Sequence, residues 1–309
     1  MSRFPLLRAA PLALAALPAA HRLLLRREAC ALSPPGTLVS VGGHTLHVYT
    51  EGEGPGPVLV FLSGGGTPAP VYDFRPLYRP LARTHRVAVV EKPGYGYAPS
   101  VRCPRDVDTL LRETRGALLR AGLPPPYVLL PHSYSGLEAL CWAARYPSEV
   151  AALVGLDMAV PEVYARRSVP PALFSLLGAA GWLGAGRLPP LRPGARPFLS
   201  PEERRQERLL FSRNLYNPCV TAEAKAAWDS ARRAAALGPP SCPALLFVSD
   251  GREIGPFWRP CQEAFIRASG ARGVFLACGH YIHLHRPAEL AAAILPFLAQ
   301  VIESKECPL

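Results

Sequence analysis

Tyr127-Val-Leu-Leu-Pro-His-Ser-Tyr-Ser-Gly136 is the stretch on which the reading of this chain turns. Tyr127–Leu130 is a short uninterrupted apolar run, the pattern of a strand buried on both faces of a parallel sheet. Tyr134–Arg145 continues as a helix with Cys141 on its apolar face. Ser133 therefore falls on a strand-to-helix turn at the carboxyl end of a buried strand. A sharp turn there lifts the hydroxyl above the sheet edge, where a base and a substrate both reach it. The small residues Ser135 and Gly136 let strand and helix approach each other.

The same unit recurs on either side. Thr37–Val41 and Thr45–Thr50 alternate apolar and polar residues around Gly42-Gly43, which predicts a β-hairpin. Further strands are expected at Val58–Leu62, Arg86–Val90, Ala151–Leu156, Ala244–Val248 and Gly273–Ala277. Helices are expected over Arg105–Ala121, Trp258–Arg267 and Pro287–Val301. Strands alternating with helices specify an α/β fold, a doubly wound, mostly parallel sheet whose ligands sit beyond the carboxyl ends of the strands. Residues 161–238 break the rhythm with proline-rich joints, an apolar stretch (Ala172–Leu188) and a charged helix starting at Ser200-Pro-Glu-Glu. The expected organisation is thus an N-terminal segment (1–36), a core built from 37–160 and 239–303, and an inserted helical cap (161–238).

The turn at Ser133 is similar to the nucleophile elbow of the α/β-hydrolase family, and the resemblance spans about residues 38–302. The family's G-x-S-x-G reads Pro131-His132-Ser133-Tyr134-Ser135 here, with both flanking glycines replaced. The resemblance implies Ser133 as nucleophile, which needs a neighbouring imidazole to accept its proton. It places that base in the loop after the last strand, where Gly279-His280 stands, with His283 and His285 flanking it. It also implies an oxyanion hole of backbone N–H groups. One donor is Tyr134; the other is Gly64 or Gly65 of Ser63-Gly64-Gly65-Gly66. The acid that orients the base has three candidates: Asp157, then Asp250, then Glu253. Glu91-Lys92-Pro93-Gly94-Tyr95-Gly96 matches a structural turn of the family and lacks the third glycine of a dinucleotide loop.

Nucleophile, base and donors together point to acyl transfer to water, on an ester, thioester or amide, with no metal or organic cofactor required. The apolar residues Phe174, Leu176, Leu177, Trp182 and Leu183 suit a hydrophobic or lipid-like acyl group, and suit core packing equally well. A proline-type aminopeptidase is a second reading, with Glu202 or Glu203 holding the substrate amine. A ligand-binding member without catalysis is a third, suggested by Pro131 and Ser135. Epoxide hydrolase and haloalkane dehalogenase chemistries use an Asp nucleophile in this fold, and position 133 is Ser. The H-x-x-H-x-H spacing of His280, His283 and His285 is not read as a metal set, because it matches none of the usual ligand spacings.

A formal charge of +11 raises the question of nucleic acid. Lys occurs only at 92, 225 and 305, and the arginines are scattered without a run of like charge, which argues against a nucleic-acid partner. The eight cysteines form no CxxC pair and read as isolated thiols. Residues 1–27 carry five arginines, no acid and an apolar stretch (Ala9–Ala20) too short to span a bilayer. Signal peptide, poor anchor and amphipathic helix all fit, and membrane association or export is favoured over a cytoplasmic location.

Overall fold

A computed structural model describes residues 6–166, 169–191 and 193–306. The first helix, α1 (Leu6–Ala29), covers most of the basic N-terminal segment; residues 1–5 lie outside the described residues, as does Cys307. No helix among the described residues is long and apolar enough to cross a membrane. The expected hairpin follows as β1 (Thr37–Val41) and β2 (His44–Glu51). Next come β3 (Val58–Leu62), the short helices α2 (Pro70–Asp73) and α3 (Arg75–Leu81), and β4 (Val87–Glu91). Helix α4 (Val107–Arg120), strand β5 (Tyr127–Pro131), helix α5 (Ser135–Arg145) and strand β6 (Val150–Leu156) complete the first half.

Four helices then intervene: α6 (Pro161–Arg166), α7 (Pro171–Trp182), α8 (Pro201–Asn214) and α9 (Pro218–Leu237). The chain returns to the sheet through β7 (Ala244–Val248), α10 (Trp258–Ser269), β8 (Arg272–Phe275), α11 (Ile282–His285) and α12 (Pro287–Glu306). The strand order is β1-β2-β4-β3-β5-β6-β7-β8. β2 runs antiparallel to both neighbours, and every pairing from β4 to β8 is parallel. β3, β4, β5 and β6 are buried along their whole length, because helices cover both faces. Val60, Leu129 and Leu153 pack towards α4, α5 and α10, whereas Phe61, Leu130 and Val154 pack towards α3 and α12. That two-sided burial is why these strands read as continuous apolar runs.

Local signals fix several helix starts. Asp106 accepts from the N–H groups of Asp108 and Thr109 at 3.1 Å each and caps α4. Ser200 and Glu203 form a reciprocal capping box at α8, a device that contributes about 1 kcal/mol. α9 starts on Asn217, whose side chain accepts from Cys219 and Val220 N–H. The charged helix expected from Ser200 is α8, and a further helix, α9, follows it from Pro218. The turn motif after β4 is a buried knot. Glu91 accepts from Val71 N, Tyr97 N and the His47 ring at 2.7–3.0 Å, and a Cβ on Gly96 would run into its carboxylate. Cys30, Cys103, Cys141, Cys219, Cys261 and Cys278 are free thiols, with Cys141 fully buried.

Candidate active site

β5 ends at Pro131 and α5 begins at Ser135, so only three residues make the turn. Ser133 holds φ at +53°, in the left-handed region that a residue with a side chain seldom adopts. The surroundings over-determine this strained conformation. The Ser133 carbonyl accepts from Ala159 N at 2.7 Å and from Gly136 N at 2.9 Å, and His132 N–H donates to Leu62 O at 2.9 Å. Ser135 is fully buried, with its hydroxyl committed to donating to Leu62 O or His132 O. The glycine demanded by close packing sits one place later than the family motif puts it. A Cβ on Gly136 would stand 2.3 Å from Ala159 O.

The loop after β3 lies against this turn. A Cβ on Gly64 would stand 2.8 Å from His132 Nδ1 and 2.9 Å from Ser133 Cβ, whereas one on Gly65 would make ordinary contact with Tyr134 at 3.5 Å. Neither Gly64 N, Gly65 N nor Tyr134 N makes a hydrogen bond among the described residues. Ser133, Tyr134, Gly65 and Gly66 border a cavity of about 370 Å³. Its remaining wall is mostly apolar and comes from the helical insertion: Tyr164, Phe174, Leu177, Val220, Ala227 and Trp228. His280 and Asp157 do not line it.

His280 follows β8, and its Nδ1 lies 2.6 Å from Asp157 Oδ2. Asp157 directly follows β6 with φ at +48° and is wholly buried. Its other oxygen accepts from Ser249 N and Trp258 Nε1, both at 2.8 Å. The three candidate acids are thereby separated. Asp157 holds the imidazole, Asp250 turns to Arg252, and Glu253 accepts the backbone N–H of His280 at 2.9 Å. The loop carrying His280 touches the residue before Ser133. His132 Nε2 is 3.3 Å from His280 O, and the two rings are 4.7 Å apart. Neither Ser133 Oγ nor His280 Nε2 has a hydrogen-bond partner among the described residues. His283 is buried against Phe74 and His132, whereas His285 is exposed, so the H-x-x-H-x-H residues point to different environments.

Sequence reasoning missed the charged cluster beneath the cavity. Lys92 Nζ and Tyr95 OH both donate to Glu223 Oε1 at 2.8 Å, and Tyr95 OH accepts from Gly66 N–H at 3.0 Å. Lys92 also lies 5.6 Å from the Tyr134 ring. A relay of hydrogen bonds thus connects α9 of the insertion to the glycine loop. Its partners are 128 and 131 positions apart, which no local motif signals. Glu202 and Glu203, the carboxylates invoked for an aminopeptidase, stand elsewhere. Glu203 pairs with Arg75, and both border a separate cleft beside Tyr49 and Arg79. The carboxylate that does border the Ser133 cavity is Glu223, already held by Lys92 and Tyr95.

Comparison with known proteins places this geometry. Residues 59–293 match the model of the alpha/beta hydrolase family. The chain belongs to the α/β-hydrolase family. It is 31% identical to the Bacillus subtilis protein YbdG over 296 residues, 91% of each chain. A pimeloyl-[acyl-carrier protein] methyl ester esterase of Chromobacterium violaceum is 33% identical over 143 residues, 43% of this chain and 53% of that one. Among solved structures, the enol-lactonase of Burkholderia xenovorans LB400 superposes with a TM-score of 0.65 at 20% identity, over 85% of this hydrolase and 100% of that chain. A Pseudomonas aeruginosa protein described as a putative epoxide hydrolase gives 0.65 at 20% identity, over 87% and 96%.

Two outcomes follow from this packing. Gly136→Ala should lower unfolding free energy by roughly 2 kcal/mol or more, because its Cβ meets backbone oxygen that cannot move aside; Gly65→Ala should change it little, as read by urea denaturation. Burial and the neighbouring His280, Arg196 and His285 charges hold the pKa of His283 well below 6.5, and burial with His280 does the same to His132. Below about pH 6.5 the unfolded chain therefore binds protons that the fold refuses, and stability falls as pH falls. His283→Phe should make the decline in melting temperature between about pH 6.5 and 5 shallower. An unchanged slope would show that His283 titrates normally.

Proposed function

We propose that this hydrolase cleaves an ester, thioester or amide with a hydrophobic acyl group through an acyl-Ser133 intermediate. The observation that carries the reading is a serine held at φ +53° on the floor of an apolar cavity, with an Asp157–His280 pair packed against the residue before it. In the reaction, His280 Nε2 takes the Ser133 proton as Oγ attacks the acyl carbon. Catalytic hydrogen bonds of this kind are commonly long without substrate and tighten when it binds. Asp157 keeps the Nδ1–H tautomer and stabilises the imidazolium. Its own position is enforced by Ser249 N and Trp258 Nε1.

The tetrahedral oxyanion is met by Tyr134 N–H and a glycine N–H. Gly65 is preferred to Gly64, because Gly65 borders the cavity and both amides have no protein acceptor to lose. His280 then returns the proton to the leaving group, and water attacks the acyl-enzyme by the same route. The Chromobacterium relative is named as a methyl ester esterase, which accords with ester chemistry. Ser at position 133 disfavours the epoxide chemistry ascribed to the Pseudomonas aeruginosa neighbour, since an alkyl-enzyme route needs a carboxylate there. The aminopeptidase reading is disfavoured, because Glu202 and Glu203 border a separate cleft and the carboxylate at the Ser133 cavity, Glu223, is paired with Lys92.

A fluorophosphonate probe should label wild type and fail to label Ser133→Ala, while p-nitrophenyl esters should be turned over by wild type alone. Along the ester series kcat/KM should rise about fourfold per added methylene, the equivalent of about 0.8 kcal/mol each, until the cavity is full. Folded wild type that neither labels nor turns over any ester would leave a binding protein instead. Asp157→Asn should cut kcat at least ~100-fold while KM changes little. Near-full activity in that variant with loss in Asp250→Asn would reassign the acid.

A further inference from the structure

Helix α7 presents a contradiction. Its sequence, Pro-Ala-Leu-Phe-Ser-Leu-Leu-Gly-Ala-Ala-Gly-Trp, has no charged residue, yet none of its residues is buried. A helix apolar on all sides is normally found inside a protein or against lipid. One face of α7 is accounted for, because Phe174 and Leu177 line the cavity above Ser133. The opposite side leaves Leu176 68% and Trp182 50% exposed.

Helix α1 adjoins that side. Arg187, just after α7, holds Glu28 with two bonds of 2.7 Å and reaches His21 Nδ1 at 2.9 Å. Gly184 packs on the His21 ring, and the Arg22 guanidinium lies 5.4 Å from the Trp182 ring. With Pro18 and His21 buried at this contact, α1 turns Leu17, Leu23 and Leu24 outward, and Leu188 in the following loop is exposed as well. Charge on this surface has one sign. Glu28 is the only acid of α1 and is spent on Arg187, while Arg22, Arg26 and Arg27 are exposed without a carboxylate partner among the described residues.

We propose that the outer faces of α1 and α7 form one surface that docks on an anionic phospholipid bilayer. Exposed leucines and Trp182 enter the acyl region, and the arginines meet the headgroup charge. The attachment is interfacial, since no described helix is long and apolar enough to span. Because the same α7 walls the cavity, docking sets the acyl site at the lipid surface. On the acyl-transfer reading above, the substrate class is then a membrane-resident acyl ester, whereas the docking itself does not depend on that reading.

The test uses the full chain with vesicles of phosphatidylcholine, with and without phosphatidylglycerol. Wild type should float with the anionic vesicles, bind the neutral ones more weakly, and release as salt is raised. Brominated lipid should quench tryptophan fluorescence, and Trp182→Phe should lose most of that quenching, because the other three tryptophans are not exposed. Leu176→Glu and Arg26→Glu/Arg27→Glu should each weaken binding roughly tenfold or more, with turnover of a soluble p-nitrophenyl ester unchanged. Absence of flotation, or binding indifferent to Leu176→Glu, would overturn the proposal. So would self-association lost in Leu176→Glu without vesicle binding, which would give the face to a second copy. Vesicle binding without turnover of any ester would keep the surface and remove the acyl-transfer reading; turnover without vesicle binding would do the reverse.

Discussion

The Asp157 carboxylate holds the carboxyl ends of three strands in one arrangement. It is fully removed from solvent, and a buried carboxylate is tolerated only where donors replace its water. Three do so: the His280 ring, Ser249 N–H and the Trp258 indole. They arrive from the loop after β8, the end of β7 and the start of α10. Satisfying one charge therefore sets the loop after β6, the first turn of α10 and the imidazole together. Glu253 adds a second restraint by accepting the His280 backbone N–H, which fixes where the loop begins as well as where its side chain points.

Ser133 is held from the opposite side by steric and backbone constraints. Its left-handed conformation survives because its carbonyl and the amide of His132 are both bonded to neighbouring segments. Gly136 permits the close approach to Ala159, and Gly64 permits the approach of the glycine loop to His132. Replacement of the family's second glycine by Ser135 costs little, since that hydroxyl finds acceptors in the carbonyls of Leu62 and His132. The polar side chain has become a fastening between β3 and the elbow.

The helical insertion contributes through two different kinds of contact. Its apolar residues enclose the cavity, while Glu223 reaches beneath it to Lys92 and Tyr95 and, through Tyr95, to Gly66. Removing one partner of such a buried pair is expensive, because it strands the other charge. The insertion is therefore coupled electrostatically to the loop that borders Ser133. On its far side the same insertion carries α1, by way of Arg187, and leaves α7 facing outward.

The alternation of apolar runs and helical periods was sufficient to specify the parallel sheet, because full burial on both faces leaves its mark on every strand. Strand positions agree to within about two residues: Val87–Glu91 stands where Arg86–Val90 is expected, and Arg272–Phe275 where Gly273–Ala277 is expected. The turn at Ser133 and the loop at His280 were legible for the same reason: chain order fixes which loops meet at a sheet edge. Local sequence did not determine which of Asp157, Asp250 and Glu253 faces the imidazole. That choice depends on where Trp258 and Ser249 N–H converge, which is a property of packed strands and not of spacing. Nor did it disclose the Lys92–Glu223 pair or the exposure of α7. Contacts between residues more than a hundred positions apart, and the difference between an apolar helix inside and one at the surface, exist only once the chain has closed on itself.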